Sequence, residues 1–256
     1  MTASKPKAQS PTRKDRFANA RRSWLGLGCG IWVLGFLMGQ PSVSAAGRVV
    51  SYRAADGRAL TGLLLEAEAH PAAVVVLVPM LGRSRDDWQV VAQQLVDGGI
   101  SALAIDLPGT SLPADPEALA AWHHDIGAAV AYLSSRPGDV RLGSIGVAGA
   151  SLGANLTAIA AAADPAIRSI ALVSPSLDYR GVRSEESMRI YGARPALLMA
   201  SLHDPYAVRS VRELTQGAAG AREQRWSMVA AHGTLLLQRD GDMVRALVEW
   251  FQQTLA

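Results

Sequence analysis

The chain is poor in the residues that several common chemistries require. One cysteine, Cys29, occurs in 256 residues, so a disulfide framework within the chain is excluded. Cys29 lies inside an apolar run near the N-terminus, and Gly26 stands where a lipoprotein signal carries leucine, so it reads as an apolar residue rather than a lipid attachment site. No lysine follows Lys14, for which the sequence offers no functional account. The five histidines are His70, His123, His124, His203 and His232. None shares a helix face or loop with acids at metal-ligand spacing, and His123-His124 reads as helix surface, so no metal site is expected. Internal repeats and long low-complexity tracts are also missing. What remains is a composition that is 49% hydrophobic and 18% charged, long enough for one sizeable α/β domain.

The formal charge of +3 conceals an uneven distribution. Seven of the basic residues and a single acid, Asp15, fall in positions 1–45, which leaves positions 46–256 with 18 basic and 21 acidic groups. That part is therefore mildly acidic, and no nucleic-acid partner is expected. Residues 1–45 read as an export signal. A basic segment ends at Arg21-Arg22, an apolar run spans Trp24–Met38, and Val43-Ser44-Ala45-Ala46 presents small residues suited to signal-peptidase cleavage. Arg21-Arg22-Ser23-Trp24-Leu25 loosely resembles a twin-arginine signal. The apolar run is short of the roughly 20 residues a membrane span needs, which favours a periplasmic or extracellular domain over one anchored by residues 24–38. Membrane contact is expected only if the leader stays uncleaved, and no oligomeric state is assigned.

Beyond the leader the hydrophobic pattern alternates between strand and helix. Arg48–Ala55 and Ala59–Glu66 form a hairpin around Asp56-Gly57. Ala72–Val78, Ile100–Leu107, Leu142–Ala148, Ser169–Val173 and Ala196–Ala200 are largely continuous apolar runs, as strands covered on both faces should be; Arg225–Val229 completes eight strands. Helices are expected at Asp86–Val96, Ala118–Leu133, Leu152–Ala163, Glu185–Tyr191, Tyr206–Leu214 and Met243–Leu255. A hairpin followed by repeated strand–helix units predicts a mostly parallel eight-stranded sheet with helices on both faces. Ligands of such sheets bind beyond the carboxyl ends of the strands.

Three loops at those ends carry the groups that activate a nucleophile. Gly149-Ala150-Ser151-Leu152-Gly153 is a G-x-S-x-G turn between strand and helix, which exposes a serine at a helix N-terminus. Asp204 follows the strand Ala196–Ala200 and also suits the N-cap of the helix after Pro205. His232 follows the last strand in Ala231-His232-Gly233. A serine needs a base to take its proton, and the base needs an acid to hold its tautomer. Asp178, after the preceding strand, is the rival acid.

These motifs, with Asp106-Leu107-Pro108-Gly109-Thr110-Ser111, resemble the α/β-hydrolases over residues 47–256, in the layout of small dienelactone-hydrolase-like esterases. The resemblance implies a Ser151-His232-Asp204 triad, no cofactor, and a small-molecule acyl substrate such as a carboxylic ester. It also implies an oxyanion hole from the backbone N–H groups of Leu152 and of Leu81 (or Met80). Pro79-Met80-Leu81-Gly82 departs from the family's His-Gly-x-Gly at its first position. Trp88 is expected to pack the following helix rather than to wall the substrate. Pro175–Arg194 is too short for a lid domain, and its Arg180, Arg183 and Arg189 are read as solvent-facing. The same triad would serve an acyltransferase, and the same fold a non-catalytic binding protein.

Overall fold

A computed structural model describes residues 47–109 and 112–256. The leader, Thr110 and Ser111 lie outside the described residues. The eight strands run in the order β1-β2-β4-β3-β5-β6-β9-β10 across one sheet. They are β1 (Arg48–Arg53), β2 (Ala59–Leu65), β3 (Ala72–Val78), β4 (Ile100–Ile105), β5 (Val140–Ala150), β6 (Ile167–Val173), β9 (Ala196–Ser201) and β10 (Arg222–Ser227). The pairs β1/β2 and β2/β4 are antiparallel, and every other pair is parallel. The sheet is thus mostly parallel, as the pattern of apolar runs predicts. From β3 the chain winds to β4 on one side and then returns to β5 on the other. The carboxyl ends of β3 and β5 therefore flank the switch point, where an open α/β sheet leaves a crevice.

Alternate residues of the central strands feed two separate cores. Val74, Val76 and Val78 of β3 join a core completed by α3 (His123–Ser134), α4 (Leu152–Ala163) and α6 (Pro205–Thr215). Val75 and Leu77 face the opposite core, built by α1 (Gln89–Asp97), α7 (Thr234–Arg239) and α8 (Gly241–Thr254). Period-two side-chain direction gives each strand one face toward each core, which is why these strands carry no polar face.

Several boundaries depart from expectation for local reasons. Ser84, rather than Asp86, caps the entry to α1, accepting from the Asp86 N–H at 3.3 Å, and Arg85–Trp88 forms a 3-10 turn before the α-helix begins. The expected helix 118–133 is two: α2 (Pro116–Ala120), capped by Asp115, and α3. Three-residue hydrogen bonds at Trp122, His124 and Asp125 tighten the chain between them. Strand β10 starts at Arg222 because its partner β9 supplies a ladder from Ala196 onward, although Arg222-Glu223-Gln224 carries no apolar signal. The connector after β6 holds a small hairpin, β7 (Asp178–Tyr179) and β8 (Val182–Arg183), followed by α5 (Glu185–Tyr191). Its two turn residues, Arg180 and Gly181, have φ of 51° and 88°, the left-handed pair a two-residue hairpin requires. Among the described residues no helix is long and apolar enough to cross a membrane.

The N-terminal hairpin is fastened to α3 by one buried acid. Asp125 is 3% exposed, and Arg58 grips both its oxygens at 3.1 and 2.9 Å. Arg58→Ala would leave that carboxylate buried without a cation. A loss of about 3 kcal/mol is expected, at the low end for an uncompensated buried charge because Arg58 itself is half-exposed. Denaturant unfolding of the variant measures it.

Candidate active site

Ser151 stands between the last residue of β5 and the first of α4, with φ 51° and ψ −118°. A non-glycine residue held there carries strain of order 1–3 kcal/mol and persists only where its surroundings over-determine it. The surroundings do so. The Ser151 N–H donates to the Val173 carbonyl at 2.9 Å, and its own carbonyl accepts from Ala154 and Asn155 at 2.9 and 3.2 Å.

The two glycines of the motif are dictated by backbone proximity. A Cβ on Gly149 would lie 2.2 Å from the Gly153 carbonyl oxygen and 2.3 Å from Thr157 Oγ1. A Cβ on Gly153 would lie 2.4 Å from the Pro79 carbonyl oxygen and 2.8 Å from that of Val78. The first turn of α4 thus presses on both the strand it leaves and the loop that follows β3. Among the described residues, the N–H groups of Leu81 and Leu152 meet no hydrogen-bond acceptor. Both sit at the switch point, Leu152 as an orphan donor of the helix N-terminus.

Ser151, Asp204 and His232 come together from three separate loops. His232 Nε2 lies 2.8 Å from Ser151 Oγ, and its Nδ1 lies 2.5 Å from Asp204 Oδ2. Asp204 performs both functions its position allows, since its Oδ1 accepts from the Ala207 N–H at 3.1 Å and caps α6. With Nδ1–H donating to the carboxylate, Nε2 is the acceptor that faces the serine hydroxyl. The acid is mostly buried, whereas 45% of the His232 side chain is exposed, so the site opens to solvent.

The remaining sequence candidates lie elsewhere. Asp178, the rival acid, is exposed in the small hairpin, where it accepts from the Gly181 N–H at 2.6 Å and pairs with Arg183 at 3.0 Å. Arg189 pairs with Glu186 on α5. Trp88 is fully buried in the core on the α1/α8 side, so it packs the helix. Asp106 accepts from the Arg85 N–H at 2.8 Å, bracing the segment after the β3 loop. His70 lies near the Asp139 carbonyl, and His123 Nδ1 is 2.8 Å from that of Ala120. Among the described residues no group of three or more His, Cys, Asp or Glu could hold a metal ion.

Three residues that brace this arrangement are not apparent from motif reading. Ser201 Oγ donates to the Val229 carbonyl at 2.7 Å and accepts from the His203 N–H at 3.1 Å, tying the acid loop to the base loop. Ser174 Oγ accepts from the Gly233 N–H at 3.0 Å. Asn155, buried one turn after Ser151, holds the connector: its Nδ2 donates to Ser176 Oγ and the Val182 carbonyl, and its Oδ1 accepts from the Ser176 N–H. The only sequence trace of the two serines is a hydroxyl closing an otherwise apolar strand.

No family model and no curated protein matches the sequence. Solved structures do match. A dienelactone hydrolase from Anabaena variabilis is 19% identical, with 83% of this chain and all of that one aligned at a TM-score of 0.69. An esterase of Pyrococcus furiosus is 17% identical over 83% of this chain and 94% of that one, at 0.66. The esterase domain of a Rhodothermus marinus protein is also 17% identical, covering 82% of this chain and 100% of that domain, at 0.63. The fold is that of the α/β-hydrolases.

The three atoms nearest a Gly149 side chain all belong to α4, two of them to the Gly153 backbone and the third to the short, β-branched Thr157. Gly149→Ala should destabilise the protein by more than ~4 kcal/mol, at the upper end for single substitutions. The same change at Gly127, which meets nothing within 4 Å, should be neutral or stabilising. Urea unfolding of the two variants side by side tests the contrast.

Proposed function

We propose that the protein is a serine hydrolase that cleaves a carboxylic ester or a related acyl bond through an acyl-enzyme. The observation that carries this reading is the unbroken chain of contacts from Ser151 Oγ through His232 to Asp204. The dienelactone hydrolase and esterases that share the fold support it.

In the proposed reaction Ser151 Oγ attacks the acyl carbon and its proton passes to His232 Nε2. Asp204 Oδ2 holds the Nδ1–H and stabilises the imidazolium that forms. The negative charge on the former carbonyl oxygen is received by the N–H groups of Leu152 and of Leu81 (or Met80), which meet no acceptor among the described residues. When the tetrahedral intermediate collapses, the bond to the leaving alcohol breaks and the alcohol takes the proton from Nε2. Water then attacks the acyl-enzyme, gives its proton to Nε2, and releases the acid as the proton returns to Ser151. No step draws on a cofactor. The exposure of His232 and the short connector over β6 favour small or solvent-accessible esters. Ready access of water to the acyl-enzyme favours hydrolysis over acyl transfer. Residues 1–45 complete the reading as an export signal for this domain.

The purified protein should hydrolyse short p-nitrophenyl esters, and a fluorophosphonate should label Ser151. Ser151→Ala should lower kcat by at least ~10³-fold. Undiminished turnover in that variant would refute the assignment, and product accumulation as a new ester with an added alcohol would mark an acyltransferase instead.

A further inference from the structure

The loop that carries His232 is also gripped from outside the Ser151, Asp204 and His232 set. Asp87 belongs to the 3-10 turn Arg85–Trp88, just beyond the loop of Leu81. Its Oδ2 accepts from Thr234 Oγ1 at 2.7 Å, two residues after the histidine. Arg83 donates to the same carboxylate from the other side, Nε to Oδ2 at 2.6 Å and a terminal nitrogen to Oδ1 at 2.9 Å. Thr234 is fully buried, and Asp87 keeps 12% of its side chain exposed. Burial pushes the Asp87 carboxyl up, but the hydrogen bonds from Arg83 and Thr234 outweigh it and hold it below the ordinary carboxylate range. It is therefore an anion at neutral pH, acting as acceptor for both partners.

The residue between His232 and Thr234 makes such a hold necessary. Gly233 has φ 58°, and glycine of all residues leaves the backbone free to move. Ser174 accepts from its N–H, its carbonyl accepts from the Leu236 N–H at 3.1 Å, and the Met80 sulfur would lie 2.7 Å from a side chain at this position. The chain Arg83–Asp87–Thr234 spans from the segment following Leu81 to the segment following His232, two stretches with no closer covalent link.

Resting on the triad reading above, we propose that Asp87 is a positioning residue that fixes His232 relative to the oxyanion loop. It touches neither substrate nor reacting atoms. Its effect runs through Thr234, which sets where the imidazole stands when it takes and returns the proton. Displacement of a catalytic group by about 1 Å can cost ~10²-fold in rate without removing a substrate contact.

The test uses the full chain as Asp87→Ala, Thr234→Val, Thr234→Ser and the Asp87→Ala/Thr234→Val double variant. Kinetics on a short p-nitrophenyl ester and the rate of fluorophosphonate labelling at Ser151 are read beside the melting temperature. Asp87→Ala and Thr234→Val should each lower kcat and the labelling rate by roughly 10- to 100-fold, with KM within about threefold in this positioning scheme. Thr234→Ser restores the hydroxyl and should recover most of the rate lost in Thr234→Val. The double variant should be no slower than the slower single variant, because both single changes remove the same Asp87–Thr234 bond. If Asp87→Ala fails to fold, Thr234→Val and Thr234→Ser decide alone. A folded Thr234→Val with wild-type kcat, a Thr234→Ser as slow as Thr234→Val, or losses that multiply in the double variant would overturn the role of Asp87. Wild-type protein that neither turns over the ester nor is labelled at Ser151 would overturn the triad reading instead.

Discussion

The close approach of α4 to the ends of β3 and β5 is the constraint on which the rest of this site depends. At Gly149 and Gly153 the neighbouring atoms lie so near that a hydrogen is the largest substituent the backbone admits. That contact forces the chain to reverse from strand to helix within one residue, and Ser151 takes the left-handed conformation as a result. Strand β5 lies between β3 and β6, paired on both edges, so the strained residue is held by ladders it cannot distort. The same proximity brings the β3 loop beside the helix N-terminus, with the Leu81 amide in that loop and the Leu152 amide in the first turn of α4, neither meeting an acceptor among the described residues. The strain at Ser151 and the placing of the two amides beside it are consequences of one packing decision.

Beyond that turn, precision depends on buried hydroxyls at the carboxyl ends of the strands. Ser174 follows β6, Ser201 ends β9 and Ser227 ends β10; all three are buried. Backbone groups leaving the sheet lose their ladder partners just where the loops begin, and leaving them unpaired in the interior would cost each a desolvation penalty. One hydroxyl can accept from one amide and donate elsewhere, and Ser201 and Ser227 do both, while Ser174 accepts from the Gly233 N–H. Ser201 joins His203 to Val229, and Ser227 accepts from the Val229 N–H at 3.0 Å while donating to Asp240, the N-cap of α8. Val229, three residues before His232, is thus held through both its N–H and its carbonyl. The loop that carries His232 is set from its root.

How much of this is legible in the sequence follows from how local each signal is. Ala72–Val78 announces a doubly covered strand because its apolar residues are contiguous, and Leu152–Ala163 announces a helix through alanine. The first half of β10 carries Arg222, Glu223 and Gln224, polar residues tolerated because the strand lies at the sheet edge, and so its pattern is silent. The hairpin at Asp178–Arg183 hides for another reason: its turn places Arg180 at positive φ, where the expected residue is asparagine or glycine. For the site, chain order suffices to nominate Ser151 and His232 but not to choose between two acids. Asp178 is excluded by where the hairpin carries it, not by its chemistry. The bracing contacts are least visible of all, since Thr234 and Asp87 are 147 residues apart and neither belongs to a motif.

The division of labour within Asp204 explains why that acid, and not its rival, suits the base. One oxygen is committed to the α6 amide of Ala207 and the other to His232, so the carboxylate can neither rotate nor surrender the imidazole without uncapping a helix. A capped acid is therefore a stiffer partner than a free one, and stiffness matters more where enclosure is lacking. With nearly half of the His232 side chain in water, the proposed reaction gains little from desolvation. In the proposed reaction, rate enhancement in such an open cleft comes from groups fixed in advance: a strained serine, the amides beside it and a histidine pinned at its loop root, at Gly233 and at Thr234.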